Sequence, residues 1–279
     1  MTSVNCIYQY TDNSLHLHHH IDVHPKDDDF EMHIHDQYEL MYFIQGTAVF
    51  LVEGTVYPLI PGSILLMRPT ESHRVKILAD TPYERYVINF HPDILAHIDP
   101  ESILLEPFQN HPLGYRNQYL SSDFQNGNSL KLIESMCTPG ETAPAQRLAI
   151  LTHLFPLLYE IRDVFKRKES PDKEMPARKQ TQQIIDYVNQ HLTDEISLNS
   201  LAEHFFLSTS QFNRLFKQAT GSSVWAYITI KRLMVARTQI QNGVSATDAA
   251  SASGFHDYSC FYRAYVKRFG RTPKQDAPI

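Results

Sequence analysis

The sequence contains little cysteine and no long apolar run. Its three cysteines, Cys6, Cys137 and Cys260, are odd in number and far apart. They form neither a metal-binding pair nor a disulfide framework, which is typical of a reducing compartment. No apolar run approaches the roughly 20 residues of a membrane-spanning helix. The first residues, MTSVNCIYQYTDNS, lack the basic-then-apolar pattern of a signal peptide. We therefore expect a cytoplasmic protein with no membrane association.

Positive charge is scarce in the first part of the chain. The 279 residues carry 25 Lys+Arg and 31 Asp+Glu, a net charge of −6. From Arg178 onward there are 12 basic and 7 acidic residues, which leaves 13 and 24 for the preceding 177. The basic end is suited to a polyanion and the acidic part is not. The length allows two domains, predicted at 1–168 and 180–279, with a polar, proline-containing linker at 169–179.

Short alternating segments between glycine and proline turns predict a small β-barrel or sandwich from Met32 to about Phe90. The first of its strands is expected in MHIHDQYELMYFIQG, and turns are expected at Glu53-Gly54 and Pro61-Gly62. We interpret residues 1–30 as a solvated strand and turn. Metal binding by the histidine-rich HLHHHIDVHPKDDDF is the minor alternative there.

Two helices are predicted after the barrel, at Ser129–Cys137 and from Ala145 to Lys168. Pro156 is expected to kink or interrupt the longer one. An apolar stripe runs along it through Leu148, Leu151, Phe155, Leu158 and Ile161. The stripe has two interpretations of equal weight, packing on the barrel or a dimer interface.

One pattern occurs twice near the C-terminal end, as STSQFNRLFKQATG and DYSCFYRAYVKRFG. Phe212, Arg214, Phe216 and Gly221 of the first copy recur as Phe261, Arg263, Tyr265 and Gly270, 49 positions on. In each copy, a short helix and a tight turn precede the repeated helix, which is the order of a helix-turn-helix. Ser197, Ser208 and Asp257 are expected helix caps. A long helix from about Ser223 to Asn242 is predicted to join the two units.

The repeated helices have an apolar face and a polar face. The alternative interpretation is a polar face that contacts only solvent, and a single copy of the pattern would not exclude it. The matched pair, the basic balance and the joining helix favour a protein that places two helices in DNA major grooves.

The first part of the chain resembles the cupin barrel, through His33-x-His35, Glu39, Gly46, Pro61-Gly62 and Pro69-x-x-x-His73. Pro69-x-x-x-His73 departs from the usual second cupin motif, because Glu71 lies between the proline and the histidine, where metal-binding cupins usually have a glycine. The resemblance implies a barrel that holds a small molecule, with ligand-binding residues at His33, His35, Glu39, Met41, His73 and Arg85. Tyr42 and Tyr86 are further candidates for its walls. Metal at His33, His35, Glu39 and His73 is the less favoured interpretation, and no cofactor is expected.

Residues Ile184 to Gln275 resemble the DNA-binding domain of the AraC/XylS transcription regulators. Gly254-Phe255, Asp257, Phe261, Arg263, Gly270 and Thr272-Pro273 carry the resemblance in the second unit. Leu201-Ala202, Ser208, Arg214, Phe216-Lys217 and Gly221 carry it in the first, and Arg232-Leu233 and Ala236 in the joining helix. It implies an α+β multidomain protein, with an N-terminal cupin-like barrel and an all-α C-terminal domain of two helix-turn-helix units. The expected DNA-binding residues are Ser210, Gln211, Asn213, Arg214 and Lys217 in the first unit, and Tyr258, Ser259, Tyr262, Arg263 and Lys267 in the second.

The expected function is sequence-specific transcription regulation under the control of a small effector. Its expected partners are double-stranded DNA, RNA polymerase, a second copy of the chain and an effector. Family analogy favours a carbohydrate effector, and no enzyme activity is expected. Two alternatives stay open, a metal-dependent cupin enzyme and a regulator that is switched by a protein partner.

Overall fold

A computed structural model describes residues 4–125, 127–168 and 180–278, which form two compact units. The first is built on β-strands and flanking helices, and the second is helical. The predicted linker at 169–179 lies outside the described residues. Within the described ranges, no helix is both long and apolar enough to cross a membrane.

The strands of the first unit form two sheets. The strands are β1 Val4–Thr11, β2 Leu15–Asp22, β3 Tyr38–Gln45, β4 Ala48–Val52, β5 Thr55–Pro58, β6 Ile64–Met67, β7 His73–Ile77, β8 Tyr83–Phe90 and β9 Gln118–Tyr119. The larger sheet has the order β1-β2-β8-β3-β6-β9, and the smaller has the order β5-β4-β7.

Each face of the larger sheet has its own apolar core. Between the two sheets, Met41, Phe43 and Met67 of the larger sheet pack with Phe50 and Val75 of the smaller. The opposite, outer face buries side chains that alternate with these along the strands, because successive residues of a strand point to opposite faces. The outer core is completed by apolar side chains of the helices α2 Ser129–Met136 and α3 Ala143–Arg167.

The helix α3 differs from its prediction in one respect. Pro156 lies inside an unbroken 25-residue helix, so it does not interrupt the helix. Leu158 and Ile161 of the predicted stripe are buried in the outer core, while Leu148 is 63% exposed. The stripe therefore divides between packing on the sheet and a solvent-facing part.

The second unit consists of helices with separate apolar cores at its two ends. They are α4 Gln180–Gln190, α5 Leu198–His204, α6 Thr209–Thr220, α7 Val224–Gln241, α8 Ala246–Ala252, α9 Tyr258–Phe269 and α10 Pro273–Asp276. A short helix, α1 Glu106–Gln109, belongs to the first unit. The predicted order of helices is confirmed, because local periodicity and capping residues specify them. The short α10 was not predicted.

The α+β organisation predicted from the sequence is confirmed, with two corrections in the first unit. Residues 4–22 form two full antiparallel strands where a single solvated strand and turn was expected. The strand expected from Met32 begins only at Tyr38, and His33 and His35 precede it.

Candidate functional sites

The helix α6 is fixed at both ends by its own sequence. The hydroxyl of Ser208 accepts a hydrogen bond from the backbone N–H of Gln211 at 3.3 Å. The Gln211 side-chain oxygen in turn accepts from the backbone N–H of Ser208 at 3.1 Å. The helix ends at Gly221, whose φ of 76° is left-handed. The predicted capping box and glycine closure are confirmed.

The helix α9 repeats this construction with a carboxylate as the cap. The Asp257 side chain accepts a hydrogen bond from the backbone N–H of Cys260 at 2.6 Å, and that bond lowers the pKa of Asp257. The helix ends at Gly270, with a φ of 67°. Each of the two helices is therefore 12 residues long and begins and ends at positions that its capping residues define.

Both helices bury aromatic residues and expose polar ones. Phe212 and Phe216 of α6 are buried, as are Phe261 and Tyr265 of α9. The ten predicted DNA-binding residues lie on other faces, and all except the half-buried Asn213 are exposed: Ser210, Gln211, Asn213, Arg214, Lys217, Tyr258, Ser259, Tyr262, Arg263 and Lys267. Their exposure meets the first requirement for contact with DNA, and their individual roles stay predictions.

The turns that precede the two helices differ in a way that the sequence did not reveal. Phe206 has a φ of 56°, and Gly254 has a φ of 86° at the corresponding point of the second helix-turn-helix unit. In each turn, the following residue donates its N–H to a carbonyl five residues earlier, Leu207 to Ala202 and Phe255 to Ala250. This is the closure of a Schellman motif, in which glycine is the usual residue. The Phe206 ring is 97% exposed, so packing does not explain its presence there.

The inner face of the larger sheet is polar along β2 and at two positions of the neighbouring β8. Three cross-strand rows lie on this face: His16, Asn89 and Glu39; His18, Val87 and Met41; and His20, Arg85 and Phe43. Cross-strand partners point to the same side of a sheet. The predicted ligand-binding residues Glu39, Met41 and Arg85 therefore share this face. Tyr42 and Tyr86 lie on the outer face in the core with the helices, so the suggestion that they line the barrel is wrong.

Of the remaining predicted ligand-binding residues, His73 lies beside Glu39. The rings of the other two, His33 and His35, have centroids 6.0 Å apart. Glu39 Oε1 is 3.6 Å from His73 Nε2, and Glu39 Oε2 accepts a hydrogen bond from Asn89 Nδ2 at 2.7 Å. Burial alone would lower the pKa of His73, but the Glu39 carboxylate and Glu71 together outweigh it, so that this pKa is raised.

The three histidines of this face, His16, His18 and His20, were not predicted from the sequence as ligand-binding residues. His16 Nε2 and His18 Nδ1 are 3.1 Å apart, and the rings of His18 and His20 stack at 4.3 Å. Burial, followed by the charges of His20 and Arg85, lowers the pKa of His18 to about 3. The alternation of Leu15 and Leu17 with these histidines was the available signal.

Arg85, at the far end of the face, is bound to the carboxylate of Asp22. Its guanidinium also lies 4.7 Å from the ring centroid of Tyr83. The charge of Arg85 is therefore balanced within the face, as is that of Glu39 beside His73.

Comparison with known proteins assigns both parts of the chain. A family model described as an AraC-like ligand binding domain matches residues 18–158. A second, described as a helix-turn-helix domain, matches residues 201–277.

The chain is also similar to known proteins over most of its length. The transcriptional activator RhaS of Klebsiella pneumoniae (strain 342) is 28% identical over 251 residues, which cover 88% of this chain and 86% of that protein. RhaS of Escherichia coli O81 (strain ED1a) is 24% identical over 248 residues, 88% of this chain and 87% of that protein. Among solved structures, ToxT from Vibrio cholerae aligns over 94% of this chain and 97% of its own, at 13% identity and a TM-score of 0.39.

Proposed function

Because the chain belongs to the AraC family of DNA-binding transcription regulators, we propose that it regulates transcription by inserting α6 and α9 into two major grooves of one DNA site. The observation that carries this proposal is the pair of matched helices, each capped at its start, closed by a left-handed glycine and bearing exposed polar side chains. Recognition helices that enter successive grooves on one side of the duplex lie about one helical turn apart.

Four basic side chains are proposed to supply most of the affinity. Arg214 and Arg263 contact guanine or phosphate, since a guanidinium can donate two parallel hydrogen bonds to either. Lys217 and Lys267 contact phosphates as point charges. All four side chains are exposed.

The remaining proposed contacts differ between the two helices. The first helix offers Ser210, Gln211 and Asn213, and the second offers Tyr258, Ser259 and Tyr262. An amide can make two hydrogen bonds with adenine, whereas a tyrosine ring makes apolar contacts and one hydrogen bond. The two half-sites should therefore differ in sequence.

Selection of bound fragments from a random DNA library tests this function. We expect an enriched site with two dissimilar half-sites whose centres are about 10 base pairs apart. Enrichment of no sequence, or of a single half-site with random flanks, would contradict the proposal.

We further propose that the effector is a small, neutral, polyhydroxylated molecule that binds the polar part of the inner sheet face, along β2 and β8. His16, His18, His20, Arg85 and Asn89 are all half-buried, so a small ligand can reach them. Neutral imidazoles both donate and accept hydrogen bonds, which suits hydroxyl groups. The Arg85 and Glu39 charges are already balanced by Asp22 and His73, which disfavours a charged ligand.

A thermal-shift screen of neutral sugars and alditols, beside their carboxylate and phosphate analogues, tests the effector class. A neutral member of the panel should raise the melting temperature, because a ligand of the native state stabilises it. His18→Ala should abolish that shift. The matched control is His19→Ala, because His19 points to the outer face and contacts Glu84 and Tyr86. A shift caused only by the anionic analogues would overturn the proposed class.

The functional assembly is proposed to be a cytoplasmic homodimer that contacts RNA polymerase. The solvent side of α3 supports the dimer, because Leu148 and Tyr159 are 63% and 52% exposed and Phe155 lies between them at helical spacing. Light scattering should give twice the mass of one chain. Tyr159→Glu should give the monomer mass, and a wild-type monomer at micromolar concentration would contradict the dimer.

A second candidate function is that of a metal-dependent enzyme, favoured by the adjacent Glu39 and His73. With His33 and His35, which the cupin resemblance also predicts as ligands, they would supply three nitrogens and one carboxylate oxygen, a set that suits iron, manganese or zinc. Metal analysis of the purified protein distinguishes this candidate. A stoichiometric metal that is lost in Glu39→Ala would support it, and its absence from protein prepared with added metal would exclude it.

A further inference from the structure

The two helix-turn-helix units each have their own core, and α7 contributes to both. Val224, Tyr227 and Ile228, at its start, are buried with residues of α4, α5 and α6. Leu233, Ala236 and Ile240 are buried with residues of α8 and α9. The two groups meet near the middle of the helix, so the relative orientation of the units depends on what lies there.

Arg232 occupies this junction and contacts both helix-turn-helix units. Its Nε donates a hydrogen bond to the carbonyl oxygen of Leu192 at 2.6 Å, and its Nη2 donates to that of Asp194 at 2.9 Å. Its Nη1 donates to the carbonyl oxygen of Gly254 at 2.6 Å. Leu192 and Asp194 follow α4 in the first helix-turn-helix unit, whereas Gly254 forms the turn before α9 in the second helix-turn-helix unit.

The chemistry of these acceptors explains why an arginine is suited to this position. Carbonyl groups at the end of a helix lack intrahelical partners and carry the negative end of the helix dipole. The guanidinium of Arg232 binds carbonyl oxygens of the segments that follow α4 and α8, close to these helix ends. Its planar fork holds several donors in fixed directions, whereas a lysine ammonium is a single point on a flexible stem.

The approach of the two units at this point leaves no room for a side chain. A Cβ atom at Gly254 would lie 3.0 Å from Arg232 Cζ and 3.0 Å from the carbonyl oxygen of Thr193. Gly254 therefore serves the left-handed turn of its own unit and also the close contact with the other.

The environment of Arg232 strengthens its hydrogen bonds. The residue is half-buried, and burial lowers its pKa while the Asp194 carboxylate opposes that shift. Charged donors in a partly desolvated site form stronger hydrogen bonds than neutral ones in water.

We propose that Arg232 is a positioning residue that fixes the separation and rotation of the two recognition helices, so that the protein binds two half-sites only at one spacing. This inference rests on the proposed DNA-binding function. Arg232 would then influence which DNA is bound through the placement of α6 and α9, and not through a DNA contact of its own.

A spacing series tests the proposal. Starting from a site selected by the wild-type chain, DNA duplexes carry one base pair fewer, the same number, or one more between the half-sites. Each added base pair rotates one half-site by about 35° relative to the other. The wild-type protein should lose about tenfold in affinity at either altered spacing, whereas Arg232→Met should lose less than about threefold. At the original spacing, Arg232→Met should bind about tenfold more weakly than wild type.

Three controls make the result specific. Arg237→Met removes an arginine of the same helix that pairs with Asp276 inside the second unit, and it should keep the wild-type spacing profile. Arg232→Lys, a milder change in case the methionine variant unfolds, should relax the spacing requirement partially. DNA with a single half-site should bind the wild-type and Arg232→Met proteins equally.

Two outcomes separate this inference from the proposed function. If both Arg232 variants bind more weakly but keep the wild-type dependence on spacing, the positioning role is wrong while DNA binding stands. If the wild-type protein selects no DNA at all, the proposed function fails as well.

Discussion

The carboxylate of Glu71 accepts a hydrogen bond from Nδ2 of Asn117 at 2.9 Å, and both residues are fully buried. Glu71 also accepts from the backbone N–H groups of Gly114 at 2.8 Å and Arg68 at 3.2 Å. This residue marks the departure from the usual second cupin motif. In this chain it ties the segment that contains Gly114 and Asn117 to the barrel.

Glu71→Gln should therefore destabilise the protein by about 2–3 kcal/mol, because one acceptor oxygen becomes an NH2 group that faces another donor. Chemical denaturation followed by circular dichroism measures the change. Glu101→Gln, at an exposed position, is the matched control and should change stability by less than about 0.5 kcal/mol. Equal stabilities of the two variants would show that the buried network contributes little.

The left-handed backbone of Phe206 predicts a substitution that stabilises the protein. Phe206→Gly should increase the free energy of unfolding by about 1 kcal/mol, because it relieves the steric cost of a side chain at positive φ and loses almost no packing. Urea titration followed by the fluorescence of Trp225, the single tryptophan, measures it. Gly254→Ala should destabilise, since it adds strain and a close contact at the same point of the other turn. A destabilised Phe206→Gly protein would mean that the exposed ring makes a stabilising contact.

The histidines of the inner face predict how stability depends on pH. The pKa of His18 is about 3 in the folded protein, against an ordinary value of 6.5. Between these values the unfolded chain binds more protons, so stability falls as the pH is lowered through this window, by up to about 1.4 kcal/mol per pH unit. His18→Gln should consequently lose about 1 kcal/mol less than wild type between pH 6.5 and 5.5.

Urea denaturation at those two pH values gives the comparison. His24→Gln, which changes an exposed histidine, is the control and should follow the wild-type protein. If His18→Gln follows it too, His18 does not provide the pH dependence.

The helical half of the fold was predictable because its determinants are local. Ser208, Gln211 and Gly221 specify α6 within 14 residues of sequence, and Asp257 and Gly270 do the same for α9. The repeat also identified the exposed faces. Phe206 was not predictable, since a phenylalanine gives no sign that it adopts a conformation usual for glycine.

The ligand-binding face was only partly predictable, because it depends on strand pairing across long sequence distances. The cupin resemblance identified Glu39 and His73, which the structure brings to 3.6 Å. The pairing of β2 with β8 places His16 beside Asn89, 73 positions away in the sequence. No local pattern contains that information, so His16, His18 and His20 were taken for a solvated tract.

DNA binding through α6 and α9 is tested most directly by removing Arg214 and Arg263 together. The measurement is fluorescence anisotropy with the selected DNA site, for wild type and for Arg214→Ala combined with Arg263→Ala. A control with the same loss of charge, Lys76→Ala with Lys131→Ala, changes exposed residues of the first unit. The arginine double variant should bind at least a hundredfold more weakly than wild type, about 3 kcal/mol, with an unchanged circular dichroism spectrum. The control should bind within about threefold of wild type. Undiminished binding by the folded arginine variant would show that α6 and α9 do not make the main DNA contacts.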